Sequence, residues 1–118
     1  MSIDNALASL AVKDLAVSLE WYERILGRPA DSQPMPGLAE WKFARGGGLQ
    51  VYQLPERAGS GSCTLSATQL EELIARLDQQ GVNTEERTAN ALVKTVMIVD
   101  PDGNHIAFAE PLDPTLAR

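Results

Sequence analysis

The chain carries one supersecondary pattern twice. Val12-Lys13-Asp14-Leu15 opens an amphipathic stretch that stops at Gly27, and Ala67-Thr68-Gln69-Leu70 opens another that stops at Gly81. Behind the first come Trp41-Lys42-Phe43, a glycine turn and Leu49-Gln50-Val51-Tyr52. Behind the second come Val96-Met97-Ile98-Val99, the turn Asp100-Pro101-Asp102-Gly103-Asn104 and Ile106-Ala107-Phe108. Asp14 and Thr68 lie 54 positions apart, as do Gly27 and Gly81, and Gly48 and Gly103 lie 55 apart. A repeat at a fixed period makes each copy one supersecondary unit that needs a neighbour to complete its core.

Each copy reads β-α-β-β-β. In the first, residues 6–12 form a short apolar strand and Asp14 is a helix N-cap. Leu15, Leu19, Tyr22 and Leu26 fall on one helical stripe, and Gly27 with Pro29 stops the helix. Pro29, Pro34 and Pro36 limit residues 28–37 to an irregular edge strand and a loop, because proline cannot donate to a central ladder. Residues 38–44 and 49–54 form a hairpin around Gly46-Gly47-Gly48, and the polar stretch 55–61 links the copies. In the second copy, residues 61–67 are a strand, Thr68 and Glu71 a capping box, and Leu70, Leu73, Ile74 and Leu77 the buried stripe. Strands are expected at 82–87, 92–99 and 104–110, with Pro101 and Gly103 set for the tight turn between the last two. Residues 111–118 read as a loosely held tail.

The expected fold class is therefore α+β: one domain over residues 1–118 built of tandem modules 4–54 and 61–110. It has eight strands, two helices outside the sheets, and Leu19, Tyr22, Leu73 and Leu77 buried. One such unit leaves a sheet face uncovered, so pairing two of them, within a chain or between chains, encloses a sheet-lined cleft. Open sheet edges and spare apolar residues on the first helix predict a homodimer.

Composition excludes several classes of partner. A net charge of −6 with scattered Lys and Arg argues against nucleic acid. No apolar run approaches the roughly 20 residues of a membrane span. The first residues lack the basic flank and apolar run of a signal peptide, and Cys63 is the only cysteine, so a reducing cytosol is the expected location.

The motif V-x-D-L-x-x-S-x-x-W-Y-x-x-x-L-G at Val12–Gly27, with D-P-D-G-N at Asp100–Asn104, closely resembles the vicinal oxygen chelate superfamily. Glyoxalase I, the bleomycin resistance proteins, fosfomycin-modifying enzymes and extradiol dioxygenases belong to it. The likeness runs from about Ala6 to Glu110. It implies a divalent metal held by inward His, Glu or Gln side chains from the first and last strands of each module, polarising two neighbouring substrate oxygens. Projected onto this chain, those positions fall at Leu7, near Tyr52 (with Gln50 two residues earlier on the same face), at Ser62 and at Ala107. Leucine and alanine cannot ligate a metal, and serine and tyrosine are poor ligands for the usual metals, so neither metal nor other cofactor is expected.

The candidate ligand-binding residues are Trp41, Gln50, Tyr52, Ser62 and His105; no catalytic residue is assigned. His105, the only histidine, shares a strand face with Ala107 and can either hold an anionic group or pack near the turn. Gln50 and Tyr52 offer donors and acceptors to a ligand, and Trp41 either stacks on a planar one or packs in the core. Cys63 lacks the basic or histidine neighbour that activates a thiol and reads as a small buried residue. The expected function is metal-free binding of an apolar or aromatic small molecule, with sequestration or resistance as its use. The alternatives are a lyase, isomerase or dioxygenase with an unrecognised metal or acid–base pair, and a dimerising accessory module without ligand.

Overall fold

A computed structural model describes residues 2–115. The elements run β1 (Leu7–Val12), α1 (Leu15–Leu26), β2 (Ser32–Met35), β3 (Leu38–Lys42), β4 (Gly48–Gln53), β5 (Ser62–Ser66), α2 (Leu70–Gln79), β6 (Arg87–Ala89), β7 (Val93–Val99) and β8 (His105–Pro111), with a 3-10 turn at Pro55–Arg57. The strands form two four-stranded sheets, ordered β1-β4-β3-β2 and β5-β8-β7-β6, so each copy is the expected β-α-β-β-β module. In each sheet the module's first strand runs parallel to its last, and the other pairings are antiparallel.

The chain forms two compact units, and their border does not follow the repeat. The first runs to Gly61 and also takes in Pro101–Asn104; the second holds Ser62–Asp100 and the chain from His105 onward. The reason is Asn104, which is fully buried. Its amide Nδ2 donates to the Ala11 carbonyl at 2.8 Å, and its Oδ1 accepts from the Gly61 N–H at 2.9 Å. Two backbone groups at the end of β1 and in the linker are satisfied by this one side chain. Beside it the Asp102 carboxylate accepts from the Lys13 N–H at 3.0 Å. Gly59, at φ +88°, meets the Asp102 backbone so closely that a Cβ would collide with its carbonyl oxygen.

In the first unit α1 lies on one face of its sheet. Asp14 caps it as expected, accepting from the Ala16 N–H, and the Gln53 side chain accepts from the Leu15 N–H at 2.9 Å. Gly27 closes it in the left-handed conformation. The buried stripe is Leu15, Ser18, Tyr22 and Ile25, so the helix is rotated from the expected setting, and Leu19 and Leu26 lie half-buried at its margin. Small Ser18 lets the helix come close to the sheet, where Tyr22 meets Trp41 at 6.1 Å between ring centroids. Leu10, Val12, Ala39, Trp41, Leu49 and Val51 complete this core.

In the second unit Leu70, Ile74 and Leu77 of α2 are buried together with Val96, Ile98, Ile106 and Phe108, while Leu73 is half-buried. The expected Thr68–Glu71 capping box does not form. Gln69 takes the N-cap position at φ 54°, a left-handed backbone that carries no capping side chain. The free N–H groups of Gln69 and Leu70 are instead met by the Glu110 carboxylate from β8, at 3.2 and 3.3 Å. The strand expected at 82–87 is also corrected. Residues 82–86 form a loop, pinned where the Met97 N–H donates to the Glu86 carbonyl at 2.9 Å, and β6 covers only Arg87–Ala89. Pro111, placed at the head of a loose tail by sequence, ends β8; residues 116–118 of that tail lie outside the described residues.

Candidate functional site

The helices cover one face of each sheet, and any site must be sought on the other. In the first sheet, pairing register and side-chain alternation set out three rows on that open face. The first is Leu7, Gly48 and Lys42; the second Ser9, Gln50, Glu40 and Ser32; the third Ala11, Tyr52, Leu38 and Met35. The second row is one hydrogen-bonded chain across all four strands. Ser9 Oγ donates to Gln50 Oε1 at 2.9 Å, Gln50 Nε2 donates to Glu40 Oε2, and Ser32 Oγ donates to Glu40 Oε1 at 3.4 Å. The third row is apolar apart from the Tyr52 hydroxyl, which has no protein partner among the described residues. Tyr52 and Gln50 are half-buried.

The second sheet has the same skeleton with different side chains. Leu7 and Ser62 stand at equivalent ends of β1 and β5, and Gly48 and His105 pair with them. The strand offset that follows is 57, and Gly46 at φ +103° matches Gly103 at φ +106° with that same offset. Gln50, and not Tyr52, is therefore the counterpart of Ala107. The open rows here are Ser62, His105 and Val99; Thr64, Ala107 and Met97; and Ser66, Ala109, Thr95 and Thr88. His105 is exposed and makes no ion pair or side-chain hydrogen bond among the described residues. A shallow recess of about 400 Å³ is lined by Val82, Asn83, Glu85 and Glu86 of the loop and by Met97, Ile98 and Val99 of β7.

Of the candidate binding residues, Gln50 and Tyr52 share the open face of the first sheet, and Ser62 and His105 face each other on the second. Trp41 is corrected: it is fully buried on the helix side, with its indole N–H donating to the Arg28 carbonyl at 3.1 Å, and cannot stack on a ligand. Sequence reasoning passed over Glu40. Its signal was present, since alternation puts it opposite Trp41's face and its register partner is Gln50.

The donor set does not fit the metal that the fold family implies. Leu7 and Ala107 have no donor atom, Ser62 has only a hydroxyl, and the Gln50 amide is engaged on both sides by Ser9 and Glu40. Among the described residues no three of His, Cys, Asp and Glu gather into a possible ligand set. Burial first and then the Asp100 charge push the Cys63 thiol up to about 11, so it is not activated as a nucleophile at neutral pH.

No family model matches the chain, and no curated protein does. Solved structures do. A glyoxalase/bleomycin resistance protein from Catenulispora acidiphila is 33% identical, covers 90% of this chain and 96% of its own, and superposes with a TM-score of 0.81. TnmS3, an antibiotic binding protein from Streptomyces sp. CB03234, is 24% identical over 94% of this chain and 98% of its own, at a TM-score of 0.80. The oxidase ChaP-H2 shares the fold at 14% identity and a TM-score of 0.75, over 93% of this chain and 94% of its own. The modules, their register and this likeness agree: the chain belongs to the glyoxalase/bleomycin resistance protein family of the vicinal oxygen chelate superfamily.

Proposed function

We propose that this protein binds an apolar or aromatic small molecule without a metal, on the open sheet face that carries Gln50 and Tyr52, and that its use is sequestration or resistance. The observation that carries this reading is the exchange at the ligand positions. Leu7 and Ala107 carry no donor atom and Ser62 only a hydroxyl, while the open face of the first sheet keeps a hydrogen-bonded row beside an apolar one. Few polar groups that fix orientation beside apolar area are what a small-molecule site needs. An antibiotic binding protein on the same fold is in keeping with this use. Ser62 and His105 form a separate polar pair on the open face of the second unit's own sheet. The lone thiol fits a cytosolic location, and no helix among the described residues is long and apolar enough to cross a membrane.

The proposal includes a homodimer. Val17 on α1 is 62% exposed, and Trp21, one turn on, is only half-buried, so this helix keeps an apolar margin that a second copy can cover. Sedimentation velocity across a wide concentration range is expected to give twice the chain mass; a constant monomer mass overturns this part.

The test of the binding reading has two arms. Protein purified without chelator is expected to carry no stoichiometric metal and to melt at the same temperature with and without EDTA, because a metal bound only to the folded state adds stability. A thermal-shift panel of planar aromatic antibiotics and apolar dyes is expected to yield a stoichiometric binder whose affinity falls on Tyr52→Ala. One tightly held metal whose removal lowers stability overturns the metal-free reading in favour of an enzyme. A panel without a binder overturns the binding reading.

A further inference from the structure

The donors in the polar row of the first sheet converge on Glu40 from both sides. Ser9 gives its proton to Gln50, Gln50 gives one to Glu40 Oε2, and Ser32 gives a long one to Oε1. A carboxylate has about four acceptor positions, so roughly half remain open. Glu40 is half-buried and makes no ion pair among the described residues. Lys42 shares its face two residues along the strand but stays outside ion-pair distance. The row thus presents a formal negative charge with spare acceptors and no resident cation. One step along the strands, about 7 Å away, lies the apolar strip of Tyr52, Leu38 and Met35, which ends at the buried Ala11 and in which Leu38 and Tyr52 are direct partners. Acceptor and strip lie side by side on a surface fixed by backbone pairing.

We infer that this face holds a subsite for a protonated amine carried on a flat aromatic body, the ring over Tyr52 and Leu38 and the ammonium on Glu40. The inference rests on the binding function proposed above and names the ligand chemistry of that site. A charge-assisted hydrogen bond to a carboxylate is stronger than a neutral one, so amine and alcohol versions of one ligand must differ.

The full chain is titrated at neutral pH with naphthylethylamine and with the matching naphthylethanol, which differ only in the terminal group. The amine is expected to bind about tenfold more tightly than the alcohol, a difference of one charge-assisted contact. Glu40→Gln is expected to bring the amine down to the alcohol's affinity and to leave the alcohol unchanged, and Lys42→Gln to tighten the amine alone. Leu38→Ser is expected to weaken both equally. Equal binding of amine and alcohol, or parallel loss of both in Glu40→Gln, overturns the cation subsite while the binding function stands. If neither compound binds, the subsite falls, and the broad panel decides the binding function separately. Should Glu40→Gln not fold, salt decides on the unaltered protein: the amine's affinity is expected to fall with ionic strength and the alcohol's to hold, and a salt-insensitive amine overturns the proposal.

Discussion

Across the open face of the first sheet, the row Ser9–Gln50–Glu40–Ser32 is polar and the neighbouring row Ala11–Tyr52–Leu38–Met35 is apolar. Across the second sheet the order is reversed: Ala107 and Met97 occupy the places of Gln50 and Glu40, while Thr95 and Thr88, hydrogen-bonded through their hydroxyls, occupy those of Leu38 and Met35. The helix-side cores differ as well, Trp41 and Tyr22 in one unit answering to Ile98 and Leu77 in the other. One backbone plan thus carries two side-chain patterns. Register and the choice of buried face belong to the plan; binding chemistry belongs to the open rows, which the fold leaves free to change.

The strongest way to break this comparison is in the cores. Trp41→Ala is expected to cost about 4 kcal/mol and Ile98→Ala about 3, since the larger ring leaves the larger cavity. Urea unfolding checks it, and a dearer Ile98 would make the second unit the more tightly packed. Asn104→Ala comes next, at about 2–3 kcal/mol, because it strands the Ala11 carbonyl and the Gly61 N–H. Its counterpart by register is Gly47, which has no side chain to lose, so the repeat is most unequal here.

Helix capping sharpens the contrast further. Glu110→Ala is expected to cost about 1–2 kcal/mol, for α2 has no other cap at its N-terminus, and the carboxylate also meets the positive end of the helix. The equivalent Gln53→Ala is expected to cost only a few tenths, as Asp14 still caps α1. Thermal melts of the two variants side by side measure the difference, and equal costs would show that the caps are interchangeable.

The smallest effect concerns Cys63. Its thiol is raised from 9.0 to about 11 in the folded chain, so between those pH values the unfolded state has lost a proton that the folded state keeps. Its contribution to stability is therefore complete below pH 9.0 and is lost as pH rises toward about 11. Cys63→Ala is expected to flatten the fall of stability in that window relative to the natural chain; parallel curves would show that the thiol is not buried in solution.

Much of the fold was legible because it is written in repeats and punctuation. Asp14, Gly27 and Gly81 mark helix ends through local chemistry, and alternating apolar residues mark strands. What was not legible depends on partners far along the chain. The Thr68–Glu71 box lost to Glu110, which lies 40 residues beyond Leu70. Helix rotation was misjudged because Ser18, polar by type, is buried where a close approach needs a small residue. Of the site, it could be read directly that Leu7 and Ala107 carry no side-chain donor atom. For Glu40 only the face could be read, from alternation; its place as the acceptor of the row comes from Ser9, Gln50 and Ser32 on three other strands.

The loop at Pro101–Asn104 belongs by chain order to the second copy and by packing to the first unit. A gene cut in the linker would yield two polypeptides of unequal competence. The one ending at Gly61 would expose a strand end with nothing to plug it, and the other would carry the plug. With one module's turn serving as the other's fastening, the two can differ in side chains but not in whether they are made together.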